Sequence, residues 1–561
     1  MMGWVPVALL AVPLAGAFLL LVFPQALRPR LRTYGMVLSG LTLVLALLMV
    51  AAFDYGGAAR PQFEVDLPWI PGLGLRFHLG VDGISLPLVA LTALLTFLCF
   101  VYLGWGGGRG PGQLLRARPR ALVFTLLVLE VGMIGTFLAL DLLLFFVFFE
   151  LVLVPMYFLI GVWGGEGRRA ASVKFILYTL LGSVVMLLGL LLIWAQTGTL
   201  DIEALSASHG AGMSRSVQIL AFVAIGIGLA VKTPMWPLHT WLPDAHTEAP
   251  TVGSVLLAGV LLKMGTYGFA RIGIPVLPEG ATAVAPWLGA FAVVGIIYGA
   301  LACLAQRDLK RMIAYSSVGH MGFVLLGFAT LTPVGINGAL FANVAHGLIT
   351  GLLFFLAGAI KERYHTADMP SIGGGLLGTL PRLGSVLTFA AIASLGLPGL
   401  AGFWGEMLAL FGAFQPANGL PRGLFLTYMV IGGLGAVLTA AYFVVMLSRV
   451  THGRPAVRAA RARTPDERPV VPLGAPETRS ATATLDPVGS NPEPYDRFSE
   501  PPGFSEEHSG DGPETAPDDI RGYELLAWTP LVLLTLLFGL WPGLLLSLTT
   551  PPVQTLLGAV S

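Results

Sequence analysis

Cysteine is nearly absent from this sequence: among 561 residues only Cys99 and Cys303 occur, each inside an apolar run. That excludes a disulfide framework, a cysteine zinc site and an iron–sulfur cluster built by this chain alone. Charge is scarce too, at 11% of residues, and nearly balanced, with Lys+Arg 32 against Asp+Glu 31. Neither a basic face for nucleic acid nor an acidic solvating surface follows from that balance. From these residues the expectation is no metal site and no cofactor site in this chain. What is abundant is apolar, 55% of the sequence, with a mean hydropathy of +0.80, far outside the range of soluble domains. The solvent for most of the chain is lipid.

Runs of roughly 20 apolar residues, the length that crosses a hydrocarbon core, recur at 3–23, 34–53, 83–104, 121–140, 142–162, 174–195, 216–242, 249–273, 284–304, 312–330, 334–360, 385–414, 424–448 and 523–547. They predict an all-α polytopic membrane protein of about fourteen transmembrane helices. The opening stretch MMGWVPVALLAVPLAGAFLLLVF lacks a basic leading region and is long enough to span. It is expected as a retained first helix and not as a cleaved signal.

Basic residues between the runs take sides. Arg28, Arg30, Arg32, Arg109, Arg116, Arg118, Arg120, Arg168, Arg169 and Lys174 fall on one side, joined by Arg307, Lys310, Arg311, Lys361, Arg363 and Arg382. The opposite connections hold only Arg60, Arg76, Arg215, Arg271 and Arg422. The richer side is expected to be cytoplasmic, and an even number of spans then puts both termini outside. Segment 54–82, with its strings VDLPWI and LRFHLGVDG, is expected as a small hairpin on the outer face. Residues 452–522, rich in Pro, Arg, Asp, Glu, Ser and Gly, predict a disordered cytoplasmic loop. Gly373, Gly375 and Gly378 formally match a dinucleotide fingerprint, but no strand precedes them and no βαβ unit surrounds them, so no nucleotide site is expected.

Two spans carry helix breakers at their centres, AVKTPMWPLHTWLP in the seventh and ASLGLPGLAGFWGE in the twelfth. In lipid such breaks persist only against protein or water, and they mark transport sites. If spans four to eight and nine to thirteen are two five-helix units, each break falls fourth in its unit, and a unit of odd length must invert its topology, as in secondary transporters.

A charge at mid-membrane costs at least ~2.5–3.5 kcal/mol, so ionisable residues inside the spans demand a role. Glu150 lies midway along LLLFFVFFELVLVPMYFLIGVWG, Lys232 at the break of the seventh span, Lys263 inside SVLLAGVLLKMGTYG, and Glu406 just after the break of the twelfth. These four are the expected proton-transfer residues. Glu130, His239, His320 and His346 lie in the same spans and are candidate relays, because imidazole both accepts and donates a proton near neutral pH. The competing reading makes a Glu150–Lys232 pair an interhelical pin and each histidine a satisfied structural ring.

The strings FELVLVPMYFLIGVWG, AVKTPMWPLHTWLPDAHTEAPTVGSVLLAGVLLKMGTYG and QRDLKRMIAYSSVGHMGF closely resemble the antiporter-like subunits of proton-pumping NADH-quinone oxidoreductase, respiratory complex I, over roughly residues 80–450. That family shares its fold with subunits of multi-subunit cation/proton antiporters. The resemblance implies fourteen helices with inverted repeats: helices one to three in 1–104, a first repeat in 121–273, a second in 284–448, the loop 452–522, and a last helix in 523–561. It also implies that Glu150 pairs with Lys232, that Lys263 is the central lysine, that Glu406 ends a second channel, and that His320 and His346 lie on a polar axis between them. Sister subunits usually carry lysine in helix twelve, so glutamate there points to the subunit M line. The lack of a long lateral helix after the last span argues against the distal subunit L.

The function so implied is outward proton translocation, driven by NADH oxidation and quinone reduction in partner subunits. Flavin, iron–sulfur clusters and quinone are expected in those partners and none in this chain. The expected surroundings are neighbouring antiporter-like subunits and the lipid of a bacterial inner (plasma) membrane. Two alternatives remain beside it: a subunit of a multi-subunit sodium/proton antiporter, and a structural scaffold whose charges only pin helices. The length of the 452–522 insertion is a departure from the family, with no role assigned.

Overall fold

A computed structural model describes residues 3–22, 30–104, 118–453 and 518–558. Arg28, Arg109, Arg116 and nearly all of the expected loop 452–522 lie outside the described residues.

The apolar runs form helices. They are α1 (Trp4–Leu19), α2 (Leu31–Ala52), α3 (Ser85–Gly104), α4 (Pro119–Leu138), α5 (Leu142–Leu151), α6 (Leu153–Trp163), α7 (Arg168–Thr197), α8 (Ile202–Ser208), α9 (Arg215–Lys232), α10 (Trp241–Glu248), α11 (Thr251–Leu256), α12 (Leu262–Gly268) and α13 (Ile274–Val276). There follow α14 (Pro278–Leu304), α15 (Leu309–Ala329), α16 (Pro333–Tyr364), α17 (Met369–Ile372), α18 (Leu376–Thr379), α19 (Pro381–Ser394), α20 (Ala401–Phe414), α21 (Arg422–Val450), α22 (Gly522–Leu540) and α23 (Gly543–Leu557). Two π-helical turns, Leu257–Leu261 and Phe269–Gly273, flank α12.

Among the described residues, 12 of these stretches are long and apolar enough to cross a membrane. The shortfall from about fourteen has identifiable causes. Helix α1 has only 16 residues, and the run 385–414 is divided into α19 and α20, each of 14 residues. The run 142–162 is stepped at Val152, since Pro155 has no N–H to give and the ladder resumes with Met156 N–H on the Val152 carbonyl. The run 523–547 ends early for a related reason: Trp541, which precedes Pro542, leaves the helical region at φ −131°, ψ 68°, and α23 starts afresh.

Burial separates the bundle into an inner and an outer set of helices. The stretch from α11 to α13 is buried all round, and α15 and α16 nearly so. Helices α7 and α21 instead turn a stripe outward, Leu177, Leu181 and Leu188 on one and Val430, Leu434 and Val437 on the other. Leucine and valine stripes facing out are stable only against lipid or another apolar partner. Helix α16 runs through the middle, packed on α15, α19, α20, α22 and α23.

Three basic residues read from sequence as loop charges are buried, two of them, Lys310 and Arg363, because the helices reach further than the apolar runs. Lys310, in the first turn of α15, donates to the Ala249 carbonyl at 2.7 Å. Arg363, in the last turn of α16, grips both oxygens of Glu524 on α22, with side chains 2% and 0% exposed. Arg271 pairs with Asp82, the residue after β2.

The expected hairpin is present. Strand β1 (Gln62–Ile70) and strand β2 (Leu75–Val81) pair antiparallel, with Val65 opposite Leu79. The turn between them closes at Gly74, whose φ of 69° suits glycine. The hairpin is plaited into the bundle: the Leu140 amide donates to the His78 carbonyl and the Ile202 amide to the Leu140 carbonyl, both at 2.9 Å. Asp141 and Asp201 face each other across this bridge and cap α5 and α8 respectively. Burial pushes the Asp201 carboxyl up, but hydrogen bonds from the His78 ring and the Ala204 amide outweigh it and hold it below the usual range. The same device recurs at Asp308 and Asp368, which also bridge and cap α15 and α17.

Candidate functional site

The break between α9 and α10 is stabilised from within. Pro234 and Pro237 cannot continue a helical ladder, and the carbonyl freed at Val231 accepts from the Trp241 indole N–H at 3.0 Å. Lys232, the last residue of α9, is 2% exposed. Its Nζ donates to the Phe149 carbonyl at 3.2 Å and sits 4.3 Å from the Phe149 ring centroid, a cation–π contact. The expected Glu150–Lys232 ion pair is not formed. The ammonium is met one residue earlier, by Phe149, and Glu150 Oε1 has no hydrogen-bond partner.

Lys263 is 0% exposed and follows the π-helical turn Leu257–Leu261. Widening the helix there leaves a carbonyl unclaimed by the α ladder, and Lys263 Nζ donates to the Ala258 carbonyl. Its second contact is His346 Nδ1 on α16, at 2.7 Å. The His346 ring lies edge-on to His320 of α15, with centroids 5.6 Å apart. His320 Nδ1 in turn donates to Glu406 Oε1 at 2.9 Å, and its Nε2 is 3.1 Å from the Ser394 hydroxyl.

Four expected residues therefore form one buried file, Lys263, His346, His320 and Glu406, carried on α12, α16, α15 and α20. A cavity of about 20 Å³ lies along it, lined by both histidines, Thr350, Ser394 and Glu406. That is room for about one water. The break between α19 and α20 makes the last contact possible: at Gly396, φ is +82°, and a Cβ there would stand 3.2 Å from Glu406 Oε2.

Other expected residues stand apart. His239 lies in the break after Lys232, 4.9 Å from the Tyr298 ring centroid, with neither ring nitrogen hydrogen-bonded. Glu130, on α4, is fully buried, and neither carboxylate oxygen has a partner. Two buried polar residues were missed in the sequence. Ser394 touches His320, and His246 of α10 is buried and stacked on Phe354 at 4.4 Å, both ring nitrogens free. His246 sits in the same quoted string as His239, so a buried histidine beside the break was there to be noticed.

The sequence model of the family described as NADH:quinone oxidoreductase/Mrp antiporter matches residues 139–432. "NADH-ubiquinone oxidoreductase chain 4" of Arabidopsis thaliana is 42% identical over 446 residues, covering 79% of this chain and 86% of its own length. "NADH-quinone oxidoreductase subunit M" of Rhodobacter capsulatus is 41% identical over 455 residues, covering 79% of this chain and 85% of its own. A chain in the structure of respiratory complex I from Thermus thermophilus superposes with a TM-score of 0.77 at 28% identity, over 99% of this chain and 100% of that one. By its sequence, its helices and the buried charges they hold, the chain belongs to the NADH:quinone oxidoreductase/Mrp antiporter family, in the subunit M/chain 4 line.

Proposed function

We propose that this chain is the proton-translocating membrane subunit of an NADH-quinone oxidoreductase, moving protons outward while partner subunits oxidise NADH and reduce quinone. The observation that carries the reading is the buried file from Lys263 through His346 and His320 to Glu406. Each member can hold a proton and hand it on, and a scaffold has no use for four such groups in line. In this reading Lys232, Glu150, His239 and Glu130 belong to a first half-path, and Lys263 receives a proton that leaves by way of Glu406. A reorientation of Lys232 from the Phe149 carbonyl toward Glu150 is the gating step.

The chain is organised as two inverted five-helix repeats, 121–273 and 284–448, between the helices of 1–104 and 523–561. The paired bridges support this: Asp141–Asp201 and Asp308–Asp368 occupy equivalent places and span the same 60 residues. The membrane is the bacterial plasma membrane, with the hairpin and both termini outside. Moving one charge against the potential costs ~2.3 kcal/mol per 100 mV, and the energy comes from the flavin, iron–sulfur and quinone chemistry of the partners.

The test is Lys232→Ala in the complete complex, with assembly followed by native gel and NADH-driven proton uptake followed in sealed vesicles. Assembled complex with lost uptake is expected. A normal proton yield, or proton movement driven by a sodium gradient without NADH, would turn the assignment toward a scaffold or an antiporter.

A further inference from the structure

The hairpin brings ligand-type side chains from three elements to one point, far from the buried file. Glu64 on β1, His78 on β2 and Glu203 in the first turn of α8 each offer one atom, all within 4.8 Å of one another. His78 is the informative member. Its side chain is only 6% exposed, and its Nε2 lies 3.8 Å from Glu64 Oε2, too far for a hydrogen bond. This buried nitrogen has no hydrogen-bond partner at all, an arrangement that costs free energy unless something fills it.

The other face of the ring is fixed. His78 Nδ1 donates to Asp201 Oδ2 at 3.0 Å, so in the neutral ring the proton sits on Nδ1 and the Nε2 lone pair faces Glu64, 3.8 Å away. A carboxylate behind a histidine is the arrangement that orients imidazole toward a metal and raises its basicity. The backbone adds rigidity, since the His78 carbonyl is held by the Leu140 amide. Gly80 leaves room for the Glu64 stem, because a Cβ there would stand 3.3 Å from Glu64 Cγ.

We propose that Glu64, His78 and Glu203 form a site for a divalent transition-metal ion of the zinc class, with Asp201 orienting the histidine and water completing the coordination. One imidazole and two carboxylates suit such an ion, whereas calcium and magnesium call for more oxygen ligands. Tetrahedral bonds of about 2.1 Å set ligand atoms roughly 3.4 Å apart. The site is slightly open relative to that, and Glu64, whose side chain is 46% exposed, has the freedom to close it. A bound ion would clamp the hairpin to α8. This revises the expectation, drawn from the scarcity of cysteine, that the chain offers no metal site.

The test uses the full-length chain in its purified complex, without a histidine tag, stripped with chelator in detergent. Zinc uptake is measured by equilibrium dialysis and elemental analysis, and the bound ion's ligands by X-ray absorption. The wild type is expected to bind one equivalent more than either His78→Gln or Glu203→Gln, with a nitrogen/oxygen shell. Asp201→Asn should weaken that equivalent roughly 10- to 100-fold. Glu203→Gln is isosteric and lies on the short outer helix, so it tests the site even where His78→Gln perturbs the hairpin. Equal stoichiometry in wild type and both variants, or no zinc taken up by the wild type at micromolar concentration, overturns the proposal.

Discussion

A lysine buried all round needs partners of its own, and Lys263 finds them in a carbonyl released by a π-helical turn and in the His346 ring. The other end of the file depends on a single backbone angle. Gly396 turns at φ +82° with its absent Cβ directed at Glu406, so Gly396→Ala is expected to cost roughly 1–2 kcal/mol from the left-handed conformation alone and to displace the carboxylate. Thermal inactivation of the solubilised complex and its proton uptake should both fall; unchanged values would mean that the break does not position Glu406. At this scale the sequence was legible where a charge interrupts an apolar run, as at Lys263 and Glu406. It was silent where function lies in contact between distant residues. Nothing local announces that Ser394 meets His320, or that Glu64, His78 and Glu203 converge.

Among elements, the breaks stood out because proline and glycine cluster at the centres of two spans. Their geometry did not, since the Trp241 indole that satisfies Val231 lies nine residues beyond Lys232 in sequence. Helix ends were also poorly marked, because apolar runs measure lipid contact and not hydrogen-bonded length. Lys310 and Arg363 therefore look like loop charges in the sequence, although α15 and α16 extend to include them. The Arg363–Glu524 pair joins α16 to α22, both side chains almost wholly buried. Breaking one side leaves an uncompensated charge, and Arg363→Met should cost roughly 3–5 kcal/mol, read as a lower denaturation midpoint of the detergent-solubilised complex. The double variant Arg363→Met/Glu524→Leu should recover most of that loss; no recovery would show that the other contacts of the two side chains, Arg363 to the Asp519 carbonyl and Glu524 to the Arg521 amide, carry it.

For the whole molecule, the class of fold followed directly from composition, because a chain this apolar and this poor in charge has only helical or closed-barrel solutions in lipid, and the span lengths choose helices. The paired aspartate bridges, each across 60 residues, were written in the sequence as well. Aspartates at loop ends are common, and only their pairing in the fold gives them meaning. The file of four ionisable side chains through the middle of the bundle gives the chain its proposed purpose, with Lys263 as the proposed entry. The decisive measurement is the proton-to-electron yield of NADH oxidation in sealed vesicles carrying Lys263→Ala, with the complex shown to be fully assembled. A path through Lys263 requires that electron transfer to quinone be accompanied by lost or sharply reduced proton uptake. An unchanged yield in the intact variant would contradict it and leave the buried charges as pins between helices.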